Sequence, residues 1–247
     1  MKYDAILLGG GVGKRFSESS QPLPKQFQML GQFPVFIHSI KALFKISAVR
    51  RMVLTMPPDR IEIACRQIQT YLPQTPYRIE MIPGGLRRQD SARLALEYLR
   101  GNPPDRVLIH DACRPYLSPG LRARVETALA DESCPAWIPS VPVVETLKRV
   151  EGNRIAETVN RELFHRVQTP QIFDYAMMDE LASKTLSEPA LNFTDDASVC
   201  EYYGVPVGIF EGDARNVKLT FDFEMNALTL LLEESACESE SATTFIV

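Results

Sequence analysis

A glycine-rich stretch near the start of the chain has the composition of a phosphate cradle. Residues 9–15 read GGGVGKR, so the backbone can approach a ligand closely and two cations follow. The dinucleotide pattern G-x-G-x-x-G fails, because its third glycine would fall on Lys14 or Phe16. The Walker pattern G-x-x-x-x-G-K-[ST] fails as well, since Leu8 and Arg15 occupy its first glycine and its hydroxyl position. The stretch predicts another type of anion site or, more plainly, a tight strand-to-helix turn with solvated cations.

The remaining reactive side chains do not form a nucleophilic or metal-binding set. The histidines are dispersed along the chain, at His38, His110 and His165, and no Ser-His-Asp order suggests a catalytic triad. The five cysteines lack a CxxC pair and a nearby histidine at metal-ligand spacing: Cys65, Cys113, Cys134, Cys200 and Cys237. An odd, scattered set of this kind is typical of reduced thiols in a cytoplasmic protein.

Composition and charge argue against two classes of partner. The chain has 247 residues, of which 45% are hydrophobic and 23% charged, an ordinary globular composition that is long enough to bury a sizeable core. Its net charge of −4 argues against a general nucleic-acid binder, whose binding face is usually basic. No apolar run approaches the ~18 residues of a membrane span, and no cationic leader opens the sequence. We therefore expect a cytoplasmic protein without a nucleic-acid or membrane partner.

Strand-like and helix-like segments alternate along the chain. Short apolar runs predict strands at Tyr3–Leu8, Met52–Met56, Arg78–Ile82, Arg106–Ile109, Ala136–Pro139 and Val207–Glu211. Segments of helical period predict helices at Val35–Lys45, Arg60–Tyr71, Asp90–Arg100, Pro119–Asp131, Tyr175–Lys184, Asp195–Tyr203 and Phe223–Glu234. The alternation predicts an α/β protein with a mostly parallel sheet flanked by helices.

One segment interrupts this alternation. Residues 146–159, TLKRVEGNRIAETV, form two β-prone halves around Glu151-Gly152-Asn153, which predicts a hairpin. Because the segment carries many charges and few large apolar residues, we expect it to project from the core. A simple surface hairpin and an arm exchanged between subunits are equally compatible with the pattern.

The sequence Pro24-Lys25-Gln26-Phe27 gives the glycine loop a more specific context. A strand, a G-x-G-[KR]-R loop and a downstream P-K-Q-[FY] are similar to those of nucleotidyltransferases that load a sugar or polyol phosphate onto a nucleotide. Seven further motifs follow in family order: GGLRRQDS (84–91), HDACRP (110–115), VPVVETLKR (141–149), TVNREL (158–163), QTPQIF (168–173), TDDAS (194–198) and NVKLT (216–220). With them, the chain resembles the 2-C-methyl-D-erythritol 4-phosphate cytidylyltransferases of the non-mevalonate isoprenoid pathway. The resemblance implies a Rossmann-like fold of the nucleotide-diphospho-sugar transferase type, with a projecting β-arm.

The resemblance implies a reaction as well. CMP would pass from CTP to 2-C-methyl-D-erythritol 4-phosphate, giving 4-diphosphocytidyl-2-C-methyl-D-erythritol and pyrophosphate. Because the nucleophile belongs to the substrate, such an enzyme supplies position and charge stabilisation rather than a reactive side chain. The implied catalytic residues are four cations: Arg15, Lys25, Arg161 and Lys218. The first two correspond to family residues at the triphosphate, and the last two to residues that grip the polyol phosphate.

The resemblance also assigns residues to each ligand. Those implied to bind CTP are Gly9, Gly10, Gly11, Gly13, Gly85, Arg88, Ser91 and Ala112. Those implied to contact the polyol phosphate are Asp111, Arg114, Thr146 and Thr169. Asp111 is further implied to contact Mg²⁺, the expected cofactor, which commonly takes one or two carboxylates plus substrate phosphates. Plainer roles stay open for Ser91, as a helix-start cap, and for Asp111, as a loop cap paired with Arg114.

The domain organisation follows from the same resemblance. It implies one nucleotidyltransferase domain over residues 1–234, with an arm at about 141–165 that joins two chains into a homodimer. In the family the arm enters the neighbouring subunit, so Thr146 and Arg161 would complete the partner's site. Residues 235–247 are polar and small apart from the final few, and we expect a flexible tail there.

Two departures from the family pattern leave alternatives open. The family usually opens P-A-A-G-x-G-x-R, whereas Gly9 and Gly10 stand here in place of two alanines that would line the nucleotide pocket. The segment SESSQPLP (17–24) is also longer than in many relatives. The alternatives are ribitol-5-phosphate cytidylyltransferase, which shares the nucleotide chemistry, and a non-catalytic nucleotide-binding paralogue. The presence of all five expected charges, Arg15, Lys25, Asp111, Arg161 and Lys218, counts against the paralogue.

Overall fold

A mixed β-sheet flanked by helices forms the centre of the protein. The computed structural model describes residues 1–10, 23–75 and 77–243. The strands within them are β1 Tyr3–Leu8, β2 Met29–Leu30, β3 Phe33–Pro34, β4 Val49–Met56, β5 Arg78–Pro83, β6 Arg106–Asp111, β7 Ala136–Pro142, β8 Lys148–Glu151, β9 Arg154–Thr158, β10 His165–Val167, β11 Gln171–Asp174 and β12 Gly208–Glu211. The helices are α1 Val35–Phe44, α2 Ile61–Tyr71, α3 Arg88–Leu99, α4 Pro119–Ala130, α5 Tyr175–Lys184, α6 Ala197–Tyr202 and α7 Glu224–Thr243.

The strand order of the main sheet is β10-β7-β11-β6-β1-β4-β5, and β12 pairs with β7. β1 runs parallel to both of its neighbours, β4 and β6, and β5 runs parallel to β4. β11 runs antiparallel between β6 and β7, and β10 is antiparallel to β7. The predicted α/β class with a mostly parallel sheet is therefore confirmed.

Alternate residues of β1 show how the sheet is covered on both faces. Ala5 and Leu7 pack in one cluster with side chains of α1 and α4, whereas Ile6 and Leu8 pack in another with side chains of α3 and α5. Successive side chains of a strand point to opposite faces, so helices lie on both sides of the sheet. This explains why the central strands read as continuous apolar runs.

The structure adds elements that the sequence pattern did not predict. β11 is a four-residue strand directly after Pro170, and β10 has three residues. Both are too short for a periodic signal, and a proline in front of a run indicates a turn more readily than a sheet strand. The sheet nevertheless accepts β11 between β6 and β7, where Ile172 and Phe173 are fully buried.

The last helix is longer than predicted. We expected it to end at Glu234 and a flexible tail to follow, but α7 continues to Thr243. The added segment, SACESESAT, contains alanine and glutamate, which favour helix formation. This part of the expected tail is therefore helical in the structure.

The predicted hairpin is present. β8 and β9 pair with each other as a separate two-stranded sheet, and Gly152 makes the turn with a positive φ of 58°, a conformation that glycine adopts without steric cost. Every residue of both strands is exposed. The hairpin thus projects from the main sheet, as expected.

Two further expectations concern thiols and membranes. The cysteines with described side chains, Cys65, Cys113, Cys134 and Cys200, are free thiols. Among the described residues, none of the helices combines the length and the apolar character needed to cross a bilayer.

Candidate active site

The carboxyl ends of three neighbouring parallel strands meet at one edge of the sheet. The register pairs Leu8, at the end of β1, with Thr55 of β4 and with Asp111 of β6. Just beyond, the Gly9 N–H donates to the Thr55 carbonyl (2.9 Å), and the Ala112 N–H donates to the Leu8 carbonyl (3.0 Å). The loops after these strands therefore share the edge at which open α/β sheets bind ligands.

Gly9 and Gly10 allow the first turn to lie directly against its neighbours. A Cβ atom on Gly9 would lie 2.9 Å from the Thr55 carbonyl oxygen, and one on Gly10 would lie 2.9 Å from Ser91 Oγ. This packing leaves no room for methyl groups, which accounts for glycines where the usual family pattern has alanines. The predicted contacts of Gly11 and Gly13 and the predicted role of Arg15 lie outside the described residues.

A second glycine turn leads into α3 and is held by Ser91. The Ser91 hydroxyl accepts a hydrogen bond from the Gly85 N–H (3.0 Å) and donates to the Arg87 carbonyl (3.3 Å). A Cβ atom on Gly85 would overlap that of Asp90 and lie 3.1 Å from the Asp90 carbonyl carbon. Ser91 is thus buried in a structural role at the helix start, and its predicted contact with CTP stays a prediction.

Three cations surround the carboxylate of Asp111. Lys218 Nζ lies 2.8 Å from Oδ2, Arg88 Nε lies 3.3 Å from Oδ1, and Arg114 Nε lies 3.6 Å from Oδ2. Burial alone would raise the pKa of the Asp111 carboxyl, but the charges of Lys218, Arg88 and Arg114 together outweigh it and hold this pKa well below its usual range. We call these four residues the Asp111 cluster; it brings together four of the predicted site residues.

His110 and Thr169 fix the backbone of this cluster from below the surface. His110 Nε2 lies 3.0 Å from the Arg114 carbonyl oxygen and therefore donates to it. The ring then accepts at Nδ1 from the Thr169 hydroxyl (2.8 Å), which itself accepts from the Asp111 N–H (3.2 Å). Burial lowers the pKa of His110 to about 4, so the ring is neutral at pH 7. Thr169 is already hydrogen-bonded on both sides, and its predicted contact with the polyol stays a prediction.

Asn216 anchors the segment that carries Lys218. Its side-chain amide donates to the Thr169 carbonyl (2.8 Å), and its own carbonyl accepts from Arg114 Nη1 (2.7 Å). Asn216 is 1% exposed. The NVKLT segment is therefore tied to two other parts of the site, which places the Lys218 ammonium beside Asp111.

Lys25 lies on the same side of the sheet edge. It begins a short 3-10 turn, Lys25–Phe27, and the next residue, Gln26, donates from Nε2 to the Gly9 carbonyl (2.6 Å). Burial raises the pKa of the Cys113 thiol to about 11, and the nearby charge of Lys25 opposes this. Since Cys113 also feels the charges of Asp111 and Lys218, Lys25 is close to the Asp111 cluster.

Two predicted residues remain apart from this cluster. Thr146 and Arg161 are exposed on the projecting segment, where Arg161 Nη1 donates to the Val144 carbonyl. Among the described residues, neither makes a hydrogen bond or an ion pair with Asp111. Their predicted roles are thus compatible only with a site to which a second chain, or a movement of the arm, contributes.

The described residues do not provide a ready-made metal site. In this part of the chain, no group of three or more His, Cys, Asp or Glu side chains has the geometry to hold a metal ion. Both oxygens of Asp111 already face cations, which would repel a divalent ion. A metal contact at Asp111 therefore requires displacement of at least one of them and stays a prediction.

Three residues of the site were not predicted from the sequence. His110 and Asn216 stand inside motifs that we quoted, as does Asp196 of TDDAS, whose Oδ2 lies 2.7 Å from Arg88 Nη1. No role was given to any of them. The one signal in the sequence is their place as polar residues within these motifs; their burial, which demands specific partners, is visible only in the structure.

The arrangement can bind and orient phosphates but offers no protein nucleophile. The cations Lys218, Arg114 and Arg88 converge at the end of the parallel strands beside two glycine turns. Burial raises the pKa of Cys113, the thiol nearest to the cluster, which leaves it protonated and unreactive. Fixed cations without a nucleophile suit a reaction in which one substrate phosphate attacks another.

Comparison with known sequences identifies relatives over nearly the whole chain. The sequence model of the 2-C-methyl-D-erythritol 4-phosphate cytidylyltransferase family, IspD, matches residues 4–234. A protein of Solidesulfovibrio magneticus named bifunctional enzyme IspD/IspF is 36% identical over 230 residues, which cover 92% of this chain and 56% of that protein. A protein of the same name from Rhodospirillum rubrum is 37% identical over 222 residues, which cover 89% of this chain and 54% of that protein. The chain thus spans about half the length of these curated relatives.

Solved structures give the same result. A protein titled 4-diphosphocytidyl-2C-methyl-D-erythritol synthase superposes with a TM-score of 0.75 at 28% identity, covering 94% of this chain and 99% of its own. The 2-C-methyl-D-erythritol 4-phosphate cytidylyltransferase of Thermus thermophilus superposes with a TM-score of 0.72 at 27% identity. The superposition covers 92% of this chain and 98% of that protein. The nucleotidyltransferase fold expected from the sequence is therefore shown.

Proposed function

The chain belongs to the 2-C-methyl-D-erythritol 4-phosphate cytidylyltransferase family, and on this premise we propose that it transfers CMP from CTP to 2-C-methyl-D-erythritol 4-phosphate, releasing pyrophosphate. The observation that carries the proposal is the Asp111 cluster, with three cations held at the carboxyl ends of the parallel strands. Cations fixed before the substrate arrives stabilise phosphoryl charge without reorganising during the reaction.

The nucleotide would occupy the region between the two glycine turns. There Gly10 and Gly85 are half-buried, and Ala112 follows β6 at the same edge. Arg15 and Lys25 are proposed to bind the triphosphate. An arginine offers a planar fork to phosphate oxygens and a lysine a compact point charge, so the pair can hold two phosphates in different ways.

The polyol phosphate would bind beside Lys218. This is the most exposed cation of the Asp111 cluster, with 39% of its side chain accessible against 12% for Arg114. Its ammonium can therefore turn from Asp111 to an incoming phosphate, while the two arginines stay in place. Asp111 would then be free to accept hydrogen bonds from the polyol hydroxyls.

Mg²⁺ would reach this site with the nucleotide. The described residues hold no set of carboxylates for it, whereas Mg²⁺ is often bound by substrate phosphates with one or two carboxylates and several waters. We therefore propose that the ion is carried by the triphosphate of CTP, and Asp111 is the carboxylate that could join it. Bound there, Mg²⁺ would neutralise phosphate charge.

We propose a homodimer built through the arm. The arm exposes a set of apolar side chains: Val144, Val150, Ile155, Leu163 and Phe164. A two-stranded hairpin is marginally stable by itself, and exposed apolar patches of this kind mark interaction surfaces. A second subunit would cover these side chains and would receive Thr146 and Arg161 at its own site.

The test is release of pyrophosphate from CTP and Mg²⁺ with two acceptors, 2-C-methyl-D-erythritol 4-phosphate and ribitol 5-phosphate. We expect the first to give the higher kcat/KM. A higher kcat/KM with ribitol 5-phosphate would contradict the proposed acceptor but still support transfer of CMP from CTP. If neither acceptor gives release of pyrophosphate, the proposed cytidylyltransferase activity is contradicted. The non-catalytic paralogue is then the remaining interpretation.

A further inference from the structure

A buried aspartate next to the site contacts the Asp111 cluster through an arginine. Asp196, in the TDDAS motif, is 1% exposed, and its Oδ2 lies 2.7 Å from Arg88 Nη1. The same guanidinium reaches Asp111 through Nε, 3.3 Å from Oδ1. Arg88 therefore bridges two buried carboxylates, one inside the Asp111 cluster and one outside it.

The two adjacent aspartates of this motif have different tasks. Asp195 accepts from the Ser198 N–H (3.1 Å) and from Gln171 Nε2 (2.7 Å), so it holds the first turn of α6. The backbone N–H of Asp196 is satisfied by Gln171 Oε1 (3.2 Å). The Asp196 side chain stands at the N-cap position but does not cap the helix. Among the described residues, Arg88 is the cation paired with it.

Stability alone gives little reason for this buried charge. Burial raises the pKa of Asp196, and the charge of Arg88 opposes that effect without cancelling it. Buried ion pairs are often no more stabilising than apolar side chains of similar volume. A role in fixing the position of Arg88 explains the carboxylate, because ion pairs at two of its nitrogens restrict the orientation of the planar guanidinium.

We propose that Asp196 is a positioning residue for nucleotidyl transfer, which holds Arg88 so that the Asp111 cluster keeps its arrangement. The proposal rests on the proposed function. Without the charge of Asp196, Arg88 would turn fully to Asp111 and compete there with Lys218. The Lys218 ammonium would then lose its fixed position beside Asp111, and the substrate phosphate would meet a displaced cation.

The first test is Asp196→Asn, which keeps the shape of the side chain and removes its charge. We expect kcat to fall by about 10- to 100-fold, the scale on which a small displacement of a catalytic group acts. The KM for CTP should stay within about threefold of the parent value, because Asp196 itself touches no substrate. A loss of folded protein would also lower the apparent kcat at constant KM, so kcat is calculated from the folded fraction that urea unfolding of each variant gives.

Asp195→Asn is the matched control, since it alters the neighbouring carboxylate that caps α6 and does not contact Arg88. We expect it to lower the midpoint of urea unfolding and to leave kcat within about twofold of the parent. An equal loss of kcat in Asp195→Asn and Asp196→Asn would overturn the proposal, as would a kcat for Asp196→Asn within about twofold of the parent.

The second test combines Asp196→Asn with Arg88→Gln. If Asp196 acts through Arg88, the double variant should have the kcat of Arg88→Gln alone, whereas independent roles would multiply the two losses and overturn the proposal. A parent protein that releases no pyrophosphate would instead refute the proposed function. Urea unfolding of the parent, the two single variants and the double variant would still test whether Asp196 and Arg88 interact. Additive changes in the free energy of unfolding would overturn that interaction.

Discussion

At the level of single residues, most of the positive charge of the site is paired with carboxylates before any substrate binds. Asp111 and Asp196 face Arg88, Arg114 and Lys218, so these five side chains together carry one positive charge in excess. The carboxylates hold the cations in place and offset their mutual repulsion. An incoming phosphate therefore meets groups that need little reorganisation, which is the main electrostatic advantage of an enzyme site.

Substitution of Lys25 tests whether this residue binds the triphosphate of CTP, as we propose. Lys25→Ala should lower kcat by at least ~10²-fold, the usual scale for losing one group that stabilises transition-state charge. The measurement is steady-state pyrophosphate release at saturating CTP. Lys184→Ala is the control, because Lys184 pairs with Glu180 on α5 and should leave kcat unchanged. Turnover of Lys25→Ala within a few-fold of the parent would remove Lys25 from the mechanism.

Gly85 tests the second glycine turn. A methyl group there would overlap Asp90 and lie 3.1 Å from its carbonyl carbon, so Gly85→Ala has to shift the start of α3. We expect a loss of about 1–3 kcal/mol in the free energy of unfolding, the usual cost of overpacking. Gly101→Ala is the matched control, because a Cβ atom on Gly101 has no neighbour within 4 Å. Equal urea midpoints for the two variants would contradict this account of the turn.

Sequence motifs predicted the residues of the Asp111 cluster but not the groups that support them. Asp111 and Lys218 are 107 residues apart in sequence, and only the family pattern indicated that they belong together. The network of His110, Thr169 and Asn216 was not predicted, because a single sequence does not show which distant polar groups meet in the interior. The same holds for Asp196, whose neighbour Asp195 has the more familiar capping role.

At the level of elements, the apolar pattern was sufficient to predict a strand wherever the segment is buried on both faces of the sheet. β1 was predicted with its bounds, and β4 and β6 extend beyond the prediction only at their ends. α3 begins at Arg88, before the predicted Asp90, and the Asp90 carboxylate supports this first turn by accepting from the Arg87 backbone N–H (3.1 Å) and from Arg87 Nε (2.9 Å). β11 shows the opposite case: it is placed by the gap between β6 and β7 rather than by its own four residues.

The contact between α1 and the β2–β3 hairpin should make stability depend on pH. His38 Nε2 donates to the Leu30 carbonyl (2.7 Å), and its ring packs edge-on against Phe33. Burial lowers the pKa of His38, and the nearby charge of Lys41 lowers it further, against the Leu30 hydrogen bond. The unfolded chain therefore takes up a proton at higher pH than the folded protein, so this contribution to stability is present above the ordinary histidine pKa and is lost as pH falls.

His38→Gln keeps a side-chain N–H and removes the titration. We expect the parent to lose more free energy of unfolding than this variant between about pH 7 and pH 5. The measurement is urea unfolding of both proteins at the two pH values, and the comparison cancels every other titrating group that the proteins share. An equal pH dependence in parent and variant would show that burial of His38 does not contribute.

At the level of the whole molecule, the arm is the feature that a single chain leaves unexplained. β8 and β9 are exposed along their whole length, and Ile155 and Leu163 are 66% and 79% exposed. Ile155→Asp places a charge in the proposed interface. We expect it to shift the protein from dimer to monomer in sedimentation, with loss of activity, while Glu157→Asp on the same strand should leave the dimer intact. An active monomer would contradict the proposed dimer.

A shared site makes a sharper prediction, because two inactive variants should then restore each other. Lys25 and Arg161 would act at one site but come from different subunits, so a heterodimer of Lys25→Ala and Arg161→Ala has one intact site. After equal amounts of the two variants exchange subunits, roughly a quarter of parental activity is expected, since half of the dimers are mixed and each has one working site. Lys25→Ala mixed with Lys218→Ala is the control. Lys218 contacts Asp111 within its own chain, so each mixed site would still lack one cation. Restoration in both mixtures, or in neither, would show that Arg161 does not act across the interface.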